Sequence, residues 1–232
     1  MITEAIVLAG GLGTRLRSAV PELPKCMAPV AGRPFLAYVI DYFQQHGITR
    51  FIFSVGYKHE IIEEFLRKEY VDLDYTCSVE HEPLGTGGAI LKSCELVHER
   101  DILVLNGDTF FRIDTGRLAE FHEQHEAECT LCLKQMTNTD RYGVVRTDES
   151  GKITSFLEKK FYEVSVINGG VYALNVDLFL QETFPEKFSF EKDYFEKYYA
   201  EKRIYGQLHD GYFIDIGIPE DYARAQTDFN KY

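Results

Sequence analysis

Three glycines, Gly10, Gly11 and Gly13, fall within four residues directly after the apolar run "EAIVLA". Arg15, Arg17, Lys25 and Arg33 follow, and Glu22 is the only acid among them. Glycines after a strand let backbone N–H groups approach a ligand without side chains in the way. Clustered cations beside them point to an anion, and phosphate fits both features. Two familiar phosphate loops are excluded. The pattern G-x-G-x-x-G begun at Gly11 would need glycine where Leu16 stands, and no G-x-x-x-x-G-K-[ST] occurs. Asp108 follows the apolar run "DILVLN", and Asp215 follows "GYFI". Either aspartate alone reads as a turn or cap residue. Two carboxylates at strand ends beside a polyphosphate read as holders of a divalent cation, Mg²⁺ with Mn²⁺ as the alternative.

Strand-like and helix-like segments alternate in the first half and would position these groups. "EAIVLA", "RFIFSVG", "LDYTCSVE" and "DILVLNGD" read as strands. "PFLAYVIDYFQQHG", "KHEIIEEFLRKEY" and "GTGGAILKSCELV" read as the helices between them. This predicts an α/β fold on an open sheet with a mainly parallel N-terminal half. Ligands of such sheets bind at the carboxyl ends of strands, where the glycine loop and Asp108 stand. The second half changes to short strands, "ECTLCLKQM", "YGVVRTDES", "KITSFLEK" and "INGGVYALN". They predict an antiparallel or mixed extension that carries substrate contacts. "SFEKDYFEKYYAEK" reads as an amphipathic helix, and "GYFIDIGIPEDYARAQ" as strand, turn and helix. No repeat or linker divides the chain, so residues 1–232 are expected to form one domain.

Composition narrows the partners. The 232 residues carry a net charge of -12, from 25 basic and 37 acidic side chains. That field repels nucleic acid but leaves room for a local positive pocket that takes a small anion. No apolar run suits a bilayer, and "MITEAIVLAGG" looks like a first strand rather than a signal peptide, so no membrane association and a cytoplasmic location are expected. The five cysteines read as reduced thiols. Cys129 and Cys132 lie three apart on a strand and so face opposite ways, a poor geometry for a shared metal. His122 and His125 in "FHEQHEAE" read as a solvated helix face rather than a zinc site. Asp72 and Asp74 form a D-x-D, but it starts a strand rather than ending one, and this counts against a glycosyltransferase metal site.

"LAGGLGTRL" and "PKCMAPVAGRPFL", followed in order by "EPLGTGGAI", "LNGD", "DRYGVV", "LEK", "INGGVY" and "DIGIPEDY", resemble the signature of the sugar-1-phosphate nucleotidylyltransferases. The resemblance covers nearly the whole chain. It implies a Rossmann-like fold with a central mixed, mostly parallel sheet flanked by helices. It implies attack of a sugar 1-phosphate oxygen on the α-phosphorus of an NTP, with pyrophosphate leaving. By resemblance, Gly10, Gly11, Gly13, Thr14 and Arg15 would hold the triphosphate, with Arg15 on the departing pyrophosphate. Lys25 would bridge the phosphates near the reacting centre. Gly85 and Thr86 would hold the base, with Leu8 as a wall. Asp108 and Asp215 would hold Mg²⁺. Gly143, Glu158, Lys159, Asn168 and Gly169 would line the sugar phosphate pocket.

Ser18 stands where many relatives have proline, and Lys160 replaces the proline that often follows the lysine of "LEK". The base loop differs from that of the thymidylyl branch. Together with "LKQMTNTDRYGVV" and "KFSFEKDYF", these features resemble the branch that joins GTP to a D-glycero-α-D-manno-heptose 1-phosphate for bacterial surface polysaccharides. Mannose 1-phosphate with GTP and N-acetylmuramate 1-phosphate with UTP stay open. A catalytically silent nucleotide-sugar-binding regulator would be expected to lose a metal carboxylate or a phosphate cation. Arg15, Lys25, Asp108, Lys159 and Asp215 are all present.

Overall fold

The computed structural model describes residues 1–11, 13, 16 and 20–231, the side chains of Thr139 and Lys231 excepted. The first half runs as a βα alternation. Strand β1 (Glu4–Leu8) leads through a 3-10 turn (Lys25–Met27) and a small hairpin, β2 (Pro29–Val30) and β3 (Arg33–Pro34), to helix α1 (Phe35–Gln45). Then come β4 (Arg50–Val55), α2 (His59–Glu69), β5 (Asp74–Val79), α3 (Gly85–Cys94) and β6 (Asp101–Asn106). β1 pairs in parallel with β4 on one side and β6 on the other, and β5 extends the sheet beyond β4.

The second half adds β7 (Thr109–Phe111), α4 (Thr115–Gln124), β8 (Cys129–Thr139), β9 (Val144–Thr147), β10 (Ile153–Leu157) and β11 (Tyr162–Asn175). A short helix α5 (Val176–Phe179), a π-helical turn (Phe190–Phe195), a single turn α6 (Glu196–Tyr198), β12 (Ile204–Leu208), β13 (Phe213–Asp215) and α7 (Pro219–Asp228) follow. The main sheet has nine strands in the order β10-β9-β11-β6-β1-β4-β5, with β8 beside β11 and β12 beside β8. β11 is antiparallel to β6, β8 and β9, so the sheet is mixed as expected, with its antiparallel part in the second half.

Side chains of the central strands alternate between two cores. Val7, Phe51, Phe53, Leu103 and Leu105 face one side, with Phe35, Val39, Phe43, Ile62 and Leu66 of α1 and α2 against them. Ile6, Ile52, Ile102 and Val104 face the other, against Ile90 of α3 and the aromatic group Phe179, Phe190, Tyr194 and Phe195. A strand covered on both faces must be apolar at every position, and this is why these strands read as continuous apolar runs. Cys129 and Cys132 fall in opposite cores, and all five cysteines are free.

Three readings are corrected. "SFEKDYFEKYYAEK" is not one amphipathic helix but a π-helical turn followed by a short α turn. Its buried aromatics stand at 190, 194 and 195, offsets of four and five that suit the wider i→i+5 winding. Phe190 stacks on Tyr194 at 5.2 Å and meets Phe195 at 4.4 Å. His122 is not on a solvated face. It is buried, its Nδ1 lies 2.8 Å from Thr130 Oγ1, and its Nε2 lies 3.5 Å from Asp101. β11 starts earlier than "INGGVYALN", because its first half pairs with the far end of β8 as a two-stranded arm.

One buried ion pair ties β1 into place. Glu4, only 3% exposed, sits opposite Arg50 in the β1–β4 register. Arg50 donates to it at 2.6 Å, and the His98 and Glu99 backbone N–H groups donate to it at 2.7 Å each. Burial alone would raise the Glu4 carboxyl, but these donors outweigh it and hold it below the ordinary value of 4.5. Its contribution is therefore fully present above about pH 4.5 and is lost as pH falls through the lowered value. Glu4→Gln should cost about 3 kcal/mol near neutrality, and the gap to the wild type should narrow below about pH 4.5. Urea unfolding at pH 7 and pH 4 measures this; a gap that widens in acid would refute it.

Candidate active site

The glycine-rich segment leaves the carboxyl end of β1, between the ends of β4 and β6. The Ala9 N–H donates to the Ser54 carbonyl at 2.8 Å, and the Gly107 N–H donates to the Leu8 carbonyl at 3.0 Å. A Cβ on Gly107 would come within 2.9 Å of that carbonyl, and one on Gly10 within 2.8 Å of Glu80 Oε1. These two glycines therefore serve the close approach of neighbouring strand ends. Gly11 and Gly13 instead line a cleft of about 190 Å³, with Leu8, Ala9, Lys25, Cys26, Asp108 and Gly217. Thr14 and Arg15 lie outside the described residues, as do Arg17 and Ser18.

Lys25 stands on the 3-10 turn, anchored by the buried Cys26 and Met27 beside it. Its ammonium pairs with Asp108 and reaches Asp215 Oδ1 at 3.4 Å. The two aspartates meet because β7 and β13 form a separate antiparallel ribbon. Asp215 pairs with Thr109, and the Ile216 N–H donates to the Asp108 carbonyl at 3.1 Å. Gly13, at φ +56°, and Gly217 leave room for the lysine, since a Cβ at either would stand within about 3 Å of its side chain.

Burial pushes the Asp215 carboxyl above its ordinary value, and the Asp108 charge adds to this. Lys25 and the Gly217 N–H, which donates at 2.7 Å, pull it back only in part. For Lys25 the balance reverses: burial would lower it, but the two carboxylates raise it. Burial drives the Cys26 thiol up to about 12, so it is no nucleophile. Arg33 does not join this group. It pairs with Asp41 at 2.8 Å and lies over the Tyr38 ring.

Gly85 and Thr86 open α3 away from the lining of this cleft. The Thr86 hydroxyl accepts the Phe190 N–H at 2.9 Å, and the Phe188 carbonyl accepts the Gly87 N–H at 3.0 Å. At Gly85, φ +72°, a Cβ would lie 2.5 Å from the Phe188 carbonyl oxygen. The start of α3 is thus strapped down by the segment that leads into the π-helical turn.

A second cavity, about 550 Å³, opens on the antiparallel half. Gly143, Glu158, Lys159 and Asn168 line it, as does Tyr142. Asn168 also shapes a bulge in β11, where the register against β8 slips between Asn168 and Tyr172. Its Oδ1 accepts the Gly170 N–H at 3.0 Å, and its Nδ2 donates to the Tyr172 hydroxyl at 2.9 Å. Gly169 is not a lining residue. Its hydrogen leaves space for the Phe111 ring, 2.5 Å from where a Cβ would stand. Arg141 pairs with the buried Asp221, joining "DRYGVV" to "IPEDY". Burial, then the Asp215 charge, raises the Tyr142 phenol to about 12. Sequence reading missed Gly217 and Tyr142, although both lie inside motifs that it quoted.

Two carboxylates are donors that would suit a hard divalent cation, with phosphate oxygens and water completing the shell, and Lys25 is the cation that engages them here. Among the described residues no group of three or more His, Cys, Asp or Glu side chains gathers into a metal site. Asp215→Asn should leave Tm unchanged or raised, because it relieves a buried repulsion while Lys25 keeps Asp108. Lys25→Met should cost about 3 kcal/mol, because two neighbouring carboxylates lose their cation. Mg²⁺ should restore part of that loss. Thermal melts of both variants with and without Mg²⁺ check this, and a Lys25→Met protein as stable as the wild type would contradict it.

The nucleotidyl transferase family model matches residues 4–231. The chain is 47% identical over 229 residues to the D-glycero-α-D-manno-heptose 1-phosphate guanylyltransferase of Aneurinibacillus thermoaerophilus, covering 99% of each chain. It is 44% identical to the enzyme of the same name from Campylobacter jejuni, over 94% of this chain and 96% of that one. The crystal structure of HddC from Yersinia pseudotuberculosis superposes with a TM-score of 0.89 at 34% identity, covering 98% of this chain and 100% of the other. That protein has also been solved in complex with GMP-PN. A glycine-lined cleft with paired carboxylates, and full-length similarity to these proteins, lead to one conclusion: the chain belongs to the nucleotidyl transferase family.

Proposed function

We propose that this protein transfers GMP from GTP to D-glycero-α-D-manno-heptose 1-phosphate, giving GDP-heptose and pyrophosphate for bacterial surface polysaccharide synthesis in the cytoplasm. The observation that carries the reading is the lysine held between Asp108 and Asp215 at a glycine-lined cleft. Similarity along nearly the whole length to two heptose 1-phosphate guanylyltransferases supports the choice of sugar and base.

In the proposed reaction a phosphate oxygen of the sugar 1-phosphate forms a bond to the α-phosphorus of GTP. The bond from that phosphorus to the bridging oxygen breaks, and pyrophosphate leaves. No covalent enzyme intermediate is needed, so the protein must supply position and charge. Gly11 and Gly13 offer a wall without side chains on which the triphosphate can lie. Lys25 is placed to neutralise phosphoryl oxygens, and its raised pKa keeps it charged. Arg15, outside the described residues, is assigned the pyrophosphate by resemblance. Lys159 would hold the sugar phosphate, offsetting the repulsion between two anionic substrates. Asp108 and Asp215 would hold Mg²⁺, which when bound supplies positive charge to the phosphate oxygens.

Asp108→Asn should keep the fold, judged by circular dichroism, and lose most turnover, about 100-fold or more. Turnover of the wild type should stop in EDTA and return with Mg²⁺; undiminished turnover in EDTA would remove the metal assignment of both aspartates. For specificity, kcat/KM should be highest for the heptose 1-phosphate with GTP and clearly lower for mannose 1-phosphate. Pockets that hydrogen-bond a hydroxyl discriminate strongly against analogues lacking it. A side-by-side panel of sugar 1-phosphates with GTP and UTP, read by pyrophosphate release, measures it. Preference for UTP with an amino-sugar phosphate would overturn the choice of sugar and base.

A further inference from the structure

The last helix, α7, lines neither of the two cavities, yet it reaches the segments that carry both. It begins at Pro219, shortly after Asp215 and Gly217, and its first turn carries the buried Asp221. Asp221 pairs with Arg141 and takes Arg224 Nη2 at 3.1 Å. Arg141 stands between β8 and β9, directly before Tyr142 and Gly143, which line the second cavity. Further along the helix, Tyr222 and Gln226 share one face and reach the β2–β3 hairpin. The Tyr222 hydroxyl and Gln226 Nε2 each donate to the Pro29 carbonyl at 2.7 Å, and Gln226 Oε1 accepts the Ala31 N–H at 3.0 Å. That hairpin follows directly on the turn that carries Lys25. Just past the helix, Phe229 packs on Phe110 of β7, the strand that Asp108 precedes, with ring centroids 5.2 Å apart.

Both segments need an outside hold. The hairpin strands have two residues each, and Ala31 between them is held at φ +47°, a left-handed conformation unfavourable for a residue with a Cβ. Gln226 grips the backbone on both sides of the buried Val30, as a neighbouring strand would. Residues 140–143 have no regular structure of their own, and the ion pair to Asp221 anchors them to the start of α7. Groups fixed to one helix keep their mutual distances better than groups on separate loops. We propose that α7 is a brace for the reaction, with Gln226 positioning Lys25 through the hairpin and Asp221 positioning the Tyr142–Gly143 wall through Arg141. Both act as positioning residues. This rests on the sugar 1-phosphate reading above.

The two handles serve different parts of the site, so their losses have different signatures. An in-line transfer needs the attacking oxygen, the α-phosphorus and the neutralising charge held in one geometry, and a misplacement of about 1 Å costs on the order of 100-fold in rate. Lys25 meets charge that builds up in the transition state, so loosening its turn lowers kcat. The Tyr142–Gly143 wall meets the sugar side before and during reaction, so loosening it weakens binding of the sugar 1-phosphate. A helix that served stability alone would have no reason to divide its effects in this way.

The test is steady-state kinetics of Gln226→Ala and Asp221→Asn, each assayed well below its own melting temperature, with amide hydrogen exchange read on the same proteins. Gln226→Ala should lower kcat about 10-fold with the sugar 1-phosphate KM unchanged. Its faster exchange should centre on residues 25–31. Asp221→Asn should raise the sugar 1-phosphate KM about 10-fold with the GTP KM unchanged. Its faster exchange should centre on residues 140–145. Two milder variants guard against loss of fold. Gln226→Glu keeps the acceptor for Ala31 and should lose less kcat than Gln226→Ala, and Arg141→Lys keeps a cation for Asp221 and should raise the sugar KM less than Asp221→Asn. Variants that melt earlier but keep wild-type kinetics overturn the inference, and so do variants that change kcat and both KM values in the same proportion. Either result leaves the transferase reading intact. A wild type that turns over no sugar 1-phosphate with any NTP overturns that reading and this inference together.

Discussion

Two carboxylates, Asp108 and Asp215, stand side by side where the proposed reaction would bring further negative charge. The rest of the site is arranged around that repulsion. Lys25 is the charge that makes the pair tolerable in the protein as it stands. Gly13 and Gly217 are small because the lysine passes between them. A triphosphate entering this cleft brings more charge of the same sign, which a divalent cation on the same carboxylates would offset.

The fold supplies this arrangement from two directions. Parallel strands deliver the glycine segment and Asp108 to one edge of the sheet, because every β-to-α connection leaves from the same end. The antiparallel half delivers the second cavity, and its bulge at Asn168–Tyr172 lets Gly169 pass the Phe111 ring. Arg141 with Asp221 and Phe190 with Thr86 then tie segments far apart in sequence around the two cavities.

Much of this was legible beforehand, and for a physical reason. Strands buried on both faces are apolar throughout, and glycine clusters mark places where backbones or ligands approach. The alternation of the first half, the cleft at the end of β1 and the pairing of Asp108 with Asp215 all follow from such signals. Side chains that take their role from the tertiary fold were not legible. His122 has a polar neighbourhood in sequence, yet it turns inward to Thr130. Arg33 sits among the basic residues of the opening stretch, yet it serves Asp41. Gly169 looks like a ligand glycine but is required by a ring from another strand.

The β7–β13 ribbon joins residues 109–111 to residues 213–215. This has a consequence for the order in which a working enzyme comes into being. A chain emerging from the ribosome can assemble β1, the glycine segment, Lys25 and Asp108 long before Asp215 has been made. Until the last strand docks, the cleft holds one carboxylate against one lysine, an ion pair with no second oxygen donor for a metal. In the proposed reaction, the nascent chain would fold its first half while still unable to bring a cation to the phosphates. On that reading, chemical competence would come with the final strand.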